Sequence, residues 1–113
     1  MKEIVCSDFV ISDRKNLIQI EFLGRNEFEF FVFKRYFDYT GPVSEFYTDS
    51  SFGTEGFWTY IRVTLDEKQV VFSFDKEEIK IILKIGPVKF NKLTAILEKM
   101  IGLIGSLIIK NEE

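Results

Sequence analysis

The sequence contains no histidine and a single cysteine, Cys6. Without histidine no side chain titrates near neutrality in its ordinary state, which removes the usual general base and the commonest metal ligand. One thiol excludes an intramolecular disulfide and leaves any metal site to carboxylates and that sulfur. A reducing, cytoplasmic setting is therefore expected. No apolar run reaches the roughly twenty residues of a membrane helix; the uncharged segment Met100 to Ile109 is too short, and Lys92, Glu98 and Lys99 precede it. Met1-Lys2-Glu3-Ile4 places an acid where a signal peptide carries only bases, so no secretion signal is expected. Charge imbalance is also small: 15 bases against 18 acids leave −3, too little to mark a nucleic-acid binder. No cofactor, no membrane and no direct nucleic-acid partner are expected, and the chain is not expected to be an enzyme.

What is abundant is phenylalanine, 13 in 113 residues, which implies an aromatic, β-leaning core. The length suits one domain, residues 1–113, with a core that needs no staples. Glu27 to Tyr39 places aromatic or apolar residues on both parities of a strand: Phe28, Phe30, Val32 and Tyr36 on one, Phe31, Phe33, Phe37 and Tyr39 on the other. Such a strand belongs in the middle of a sheet covered on both sides.

Lys2 to Ile11 reads as a first strand, partly buried on both faces. Ser12 to Asn16 turns the chain, and Leu17 to Leu23 alternates as a half-exposed antiparallel strand with Ile18, Ile20 and Phe22 inward. Gly24-Arg25-Asn26 forms the turn into the aromatic strand, completing a meander. Phe57 to Leu65 is a further strand, with Phe57, Ile61, Val63 and Leu65 inward and Trp58, Tyr60 and Arg62 outward. Val70, Phe72 and Phe74 mark the next, and Ile79 to Ile85 favours a strand over a helical turn. Gly86-Pro87 breaks the chain and Asn91 is a good N-cap. After it Leu93, Leu97, Met100, Ile101, Ile104, Leu107 and Ile108 share one face of a helix of roughly five turns, ended by Lys110 and Asn111. The expected fold is α+β: about six antiparallel strands in two meanders, covered on one face by this C-terminal amphipathic helix. The other face requires curvature into a half-barrel, a second sheet or a partner chain. Gly102 and Ser106, spaced as small residues at a helix contact, mark a place where another backbone approaches.

Thr40 to Gly56 breaks every periodicity and reads as a long loop, of the kind that usually carries function in compact domains. It holds Glu45, Asp49 and Glu55 and neither lysine nor arginine, so its charge equals that of the whole chain. Phe46, Tyr47 and Phe52 are interleaved with the acids, and Trp58, Tyr60 and Arg62 follow. Tyrosine, tryptophan and arginine carry binding energy at protein interfaces, which makes these nine residues the candidate partner-binding site. Other candidates are weaker. Cys6 sits in an apolar strand with no activating base; Glu77 with Glu78 and Asp66 with Glu67 fall at turns, where solvated acids are the default; Gly53 to Gly56 lacks the lysine and helix start of a phosphate loop.

With its size, its α+β pattern and the stretch Gly56-Phe57-Trp58-Thr59-Tyr60-Ile61-Arg62-Val63 before a hairpin, the chain resembles small bacterial immunity proteins that neutralise contact-dependent or other polymorphic toxins. The resemblance covers about the middle half of the chain. It implies a protein-binding inhibitor that occludes the basic active-site cleft of a cognate toxin domain, often a nuclease, and is a monomer or weak dimer alone. Phage-encoded inhibitors of host defence proteins look similar at this level. The competing class is a small apolar-ligand carrier, its cavity lined by phenylalanine under a loop lid.

Overall fold

Hydrogen bonding sorts the strands into two five-stranded sheets. A computed structural model describes residues 2–37, 45–102 and 105–110. Within them the chain forms β1 (Lys2–Cys6), β2 (Asp8–Asp13), β3 (Leu17–Leu23), β4 (Phe30–Tyr36), β5 (Phe46–Ser50), β6 (Gly56–Trp58), β7 (Arg62–Leu65), β8 (Gln69–Phe74), β9 (Glu77–Leu83), α1 (Gly86–Ile101) and β10 (Ser106–Ile109). The first sheet runs β1-β9-β8-β7-β10 and the second β2-β3-β4-β5-β6. The second is antiparallel throughout; in the first, β1 pairs with β9 and β10 with β7 in parallel. The fold is α+β as expected. The half-barrel is not what covers the aromatic strand: a second sheet does, both sheets stay open, and the described strands number ten rather than about six.

Two corners explain the miscount. The segment read as one first strand is β1 in one sheet and β2 in the other, separated by Ser7. Its apolar residues fall on both parities because Ile4 and Cys6 face the core from the first sheet, whereas Phe9 and Ile11 pack on it from the second. The segment read as one strand from Phe57 is likewise β6 in the second sheet and β7 in the first. A two-residue period has no memory across such a corner. Below it Trp58 packs inward, above it Ile61, Val63 and Leu65 do, and Phe57, expected inside, is 41% exposed on the outer face.

β4 is the third strand of its sheet, and Phe31 and Phe33 are fully buried. Its cover is one-sided: Phe30 and Val32 are half-buried on the outer face. Phe28 precedes the strand, 74% exposed in a turn where Asn26 Oδ1 accepts its amide. Tyr39 and residues 40–44 lie outside the described residues. Across the core Phe72 of β8 meets Phe22, Phe31 and Phe33 with ring centroids 5.7, 4.7 and 5.1 Å apart, and Phe74 meets Phe31 at 6.3 Å. These rings occupy the space in which an enclosed apolar ligand would have to sit.

Gly86 and Pro87 open the helix instead of breaking the chain before it. Proline in the first turn lacks only an amide that has no intrahelical partner, so α1 begins five residues before Asn91, which lies inside it. Leu93, Ile96, Leu97, Met100 and Ile101 are buried. The helix stops at Gly102, whose φ of 52° is costly for any residue with a Cβ and whose amide donates to Glu98 O. Lys110 therefore does not end it. Leu107 and Ile108 belong to β10, and Ile104, assigned to the same helical face, lies outside the described residues, as does Asn111. Two ion pairs set α1 alongside edge strand β2: Lys89 Nζ to Asp8 Oδ1 at 2.7 Å and Lys99 Nζ to Asp13 Oδ2 at 3.0 Å. Ten helical residues rise about 15 Å and five strand residues about 17 Å, so helix and strand run side by side in one direction.

Phe72→Ala empties the meeting point of four rings and is expected to lower the free energy of unfolding by about 3–5 kcal/mol. Val88→Ala, on a side chain that is 80% exposed, should change it by less than about 0.5 kcal/mol. Chemical denaturation compares the two; equal midpoints would mean that the sheets do not meet at Phe72.

Candidate functional site

β5 occupies the middle of what the sequence presents as a loop. Its inward positions are Phe46, Thr48 and Ser50, all buried, and two of these three are hydroxyl residues. The strand therefore lacks the apolar alternation by which strands are recognised. Its hydroxyls are satisfied by one another and by the turn that follows. Trp58 Nε1 donates to Thr48 Oγ1 at 2.7 Å, Thr48 Oγ1 donates to Thr54 O at 3.1 Å, and Ser50 Oγ and Thr54 Oγ1 share a hydrogen bond. Ser50 Oγ also accepts the amides of Phe52 and Thr54. A buried chain of this kind stiffens its hairpin because each member would be costly to leave unpaired. Gly56 is required beside it: a Cβ there would stand 2.9 Å from the Trp58 ring.

With the inward side chains fixed, Tyr47 and Asp49 face outward. Register places Tyr47 between Lys34 of β4 and Phe57 of β6. Tyr47 and Phe57 rings lie 4.9 Å apart, Tyr36 stands 6.3 Å from Phe57, and Lys34 Nζ is 5.3 Å from the Tyr47 centroid. The Tyr47 hydroxyl donates to Glu55 Oε2 at 2.8 Å. On the next rung Asp49 stands opposite Val32, which stands opposite Glu21. The outer face of the second sheet thus carries an aromatic trio framed by Glu21, Asp49 and Glu55, with Lys34 as its cation. Phe52 and Phe28, 38% and 74% exposed, sit in the two turns at one end of this sheet, where Ser51 N donates to Phe30 O.

The nine sequence-derived candidates are thereby distributed. Tyr47, Asp49 and Glu55 come together on the outer face, with Phe52 at its end. Phe46 is core, and Trp58 packs inward on Phe74 with a centroid separation of 4.9 Å. Glu45 is bound to Arg35, Oε2 to Nη2 at 2.9 Å. That guanidinium also donates from Nη1 to Met100 O and lies 4.6 and 5.3 Å from the Phe37 and Phe46 rings, tying β4 to the helix end. Arg62 is on the other sheet, opposite Ser73, and Tyr60 projects from the corner between the sheets, 55% exposed. Tyr36, Phe57, Lys34 and Glu21 were not singled out from sequence. Their signal was present as the outward parity of β3 and β4, but Phe57 was concealed by the corner that reverses its sense.

Among the described residues no three carboxylate or thiol groups converge as a metal site, and no helix is long and apolar enough to cross a membrane. Cys6 is a buried thiol donating to Asp8 O at 2.9 Å, and burial pushes its pKa up, which keeps it protonated and unreactive. Comparison with family models, with curated proteins and with solved structures found no match to the chain.

The hydrogen bond to Glu55, followed by burial and the nearby carboxylates, pushes the Tyr47 hydroxyl up to about 12. Since the folded value lies above the unfolded one of about 10, this contact's contribution to stability is complete below that pH and is lost as pH rises through the folded value. Glu55→Ala is expected to bring the Tyr47 titration back toward about 10, read from its ring-carbon NMR shifts. An unmoved titration would show that Glu55 does not hold the hydroxyl.

Proposed function

We propose that the chain is a protein-binding inhibitor that docks the outer face of its second sheet on a basic protein surface, as an immunity protein does on the active-site cleft of its toxin. The observation that supports this reading is the aromatic trio Tyr36, Tyr47 and Phe57, the tyrosines half-buried and Phe57 exposed, on a sheet face whose acids, Glu21, Asp49 and Glu55, outnumber Lys34. Rigid aromatic side chains supply contact area at little entropic cost, and an acidic frame both steers a basic partner and penalises an acidic one. The hydroxyl network under β5 and β6 supports the same reading, since a preorganised face loses less freedom on binding. A nuclease cleft, lined with lysine and arginine for phosphate, is the partner chemistry this face matches best. The free chain is a monomer or weak dimer in this account.

The test begins with the product of the neighbouring open reading frame as candidate partner, co-expressed for protection from toxicity and then measured by surface-based kinetics at two salt concentrations. Asp49→Lys with Glu55→Lys should slow association about tenfold at low salt, with the difference shrinking at high salt. Phe57→Ala should speed dissociation by about thirtyfold, as loss of an interface anchor of about 2 kcal/mol does. Arg62→Ala, on the opposite sheet, should do neither. If both sets of variants fold, by circular dichroism, and bind like the parent, the docking face is elsewhere.

A further inference from the structure

A groove of about 500 Å³ runs between α1 and the outer edge of the second sheet. Its floor is apolar: Phe9 and Ile11 from β2, Ala95 and Ile96 from α1. Its rim is cationic, formed by Lys92 and Lys99, with Asp13 as the acid. A second hollow of about 430 Å³ shares Asp13 and Lys99 and adds Arg14 and Lys15. This is the reverse of the acidic sheet face, on a chain whose net charge is −3. Lys99 is neutralised by Asp13 and Lys89 by Asp8, whereas Lys92 is exposed and has no ion pair among the described residues. The two ion pairs bridge helix and strand at either end of their contact, about 15 Å apart along α1. An extended peptide threading the whole length would have to cross both bridges; an alkyl chain of about eight carbons, with its head at Lys92, fits the seven helical residues, about 10 Å, between Lys92 and the Lys99–Asp13 bridge.

We propose that this groove binds a single-chain amphiphilic anion, with the tail on Phe9, Ile11, Ala95 and Ile96 and the carboxylate against Lys92. An apolar floor with one convergent unpaired charge is the arrangement that orients such a ligand, and the volume is within the range of small-molecule sites. The site is independent of the proposed docking face.

Octanoate, titrated into the full chain below its micelle concentration and followed by amide NMR, is the probe. The expected result is saturable one-to-one shifts at Phe9, Ile11 and Ile96. Ala95→Trp, at an exposed helix position, fills the groove without entering the core and should weaken binding about tenfold or more, as should Lys92→Glu. Octanol should bind about tenfold more weakly than octanoate, and Tyr47→Ala should leave binding unchanged. Shifts that fail to saturate, or binding indifferent to Ala95→Trp, would overturn the proposal; equal binding of octanol would overturn the role of Lys92. An acidic peptide of alternating glutamate and leucine that saturates these amides where octanoate does not, or a concentration-dependent dimer that buries them, would give the groove another occupant and equally overturn it.

Discussion

The contact between Phe72 and the rings of Phe22, Phe31 and Phe33 holds one sheet to the other, and the rest of the architecture follows from it. Each sheet is apolar on one face and would be unstable alone in water; opposed, they bury the aromatic side chains whose removal from water dominates the stability of a small domain. The edge-on and tilted geometries, at centroid separations of 4.7 to 5.7 Å, are those aromatic pairs prefer over a face-to-face sandwich. Because both sheets face one core, the chain must cross between them, and it does so at Ser7 and again between β6 and β7. Both crossings reverse which parity is buried.

Around this core, polar groups fix what apolar contact leaves undetermined. Hydrophobic burial is non-directional, whereas the Trp58, Thr48, Thr54 and Ser50 chain admits one arrangement of the β5–β6 hairpin. Arg35 plays a similar part at the helix end, joining Met100 O, Glu45 and two aromatic rings. Its Nε is buried without a partner, a cost the other contacts of the guanidinium must offset. The paired Asp8–Lys89 and Asp13–Lys99 bridges set helix direction; exposed pairs of this kind contribute little energy, and orientation is their principal effect.

The surface that results is segregated by charge. Acids and aromatic rings share the outer face of the second sheet, and cations gather along α1 where it passes β2. The two regions adjoin through a common sheet but present opposite chemistry, so the proposed protein partner and the proposed anionic ligand would not compete for the same side chains.

Where a hydrophobic period stays within one element, the sequence was sufficient. Leu17–Leu23 is a strand with the bounds its alternation predicts, Val70, Phe72 and Phe74 point inward as read, Ile79 to Ile85 is a strand as far as Leu83, its last residue serving as the N-cap of α1, and Leu93, Leu97, Met100 and Ile101 form the buried face of a helix. Acids and aromatic residues between Glu45 and Tyr60 were legible as unusual, though not which of them would share a face. Only tertiary structure decided that. Pattern reading rests on local periodicity, and β5 hides its period behind buried hydroxyls whose partners are supplied by another part of the hairpin. β10 hides in an uncharged run that suits a helix as well as a strand until β7 offers it an edge, and the corners erase parity because the burying surface changes from one sheet to the other. Sequence by itself determined the aromatic core, the strand-rich α+β class and the amphipathic helix, which depend on each segment's own apolar spacing. The two-sheet pairing, the side on which Phe57 and Trp58 emerge and the end of the helix at Gly102 depend on what lies opposite each residue, and that exists only once the chain has folded.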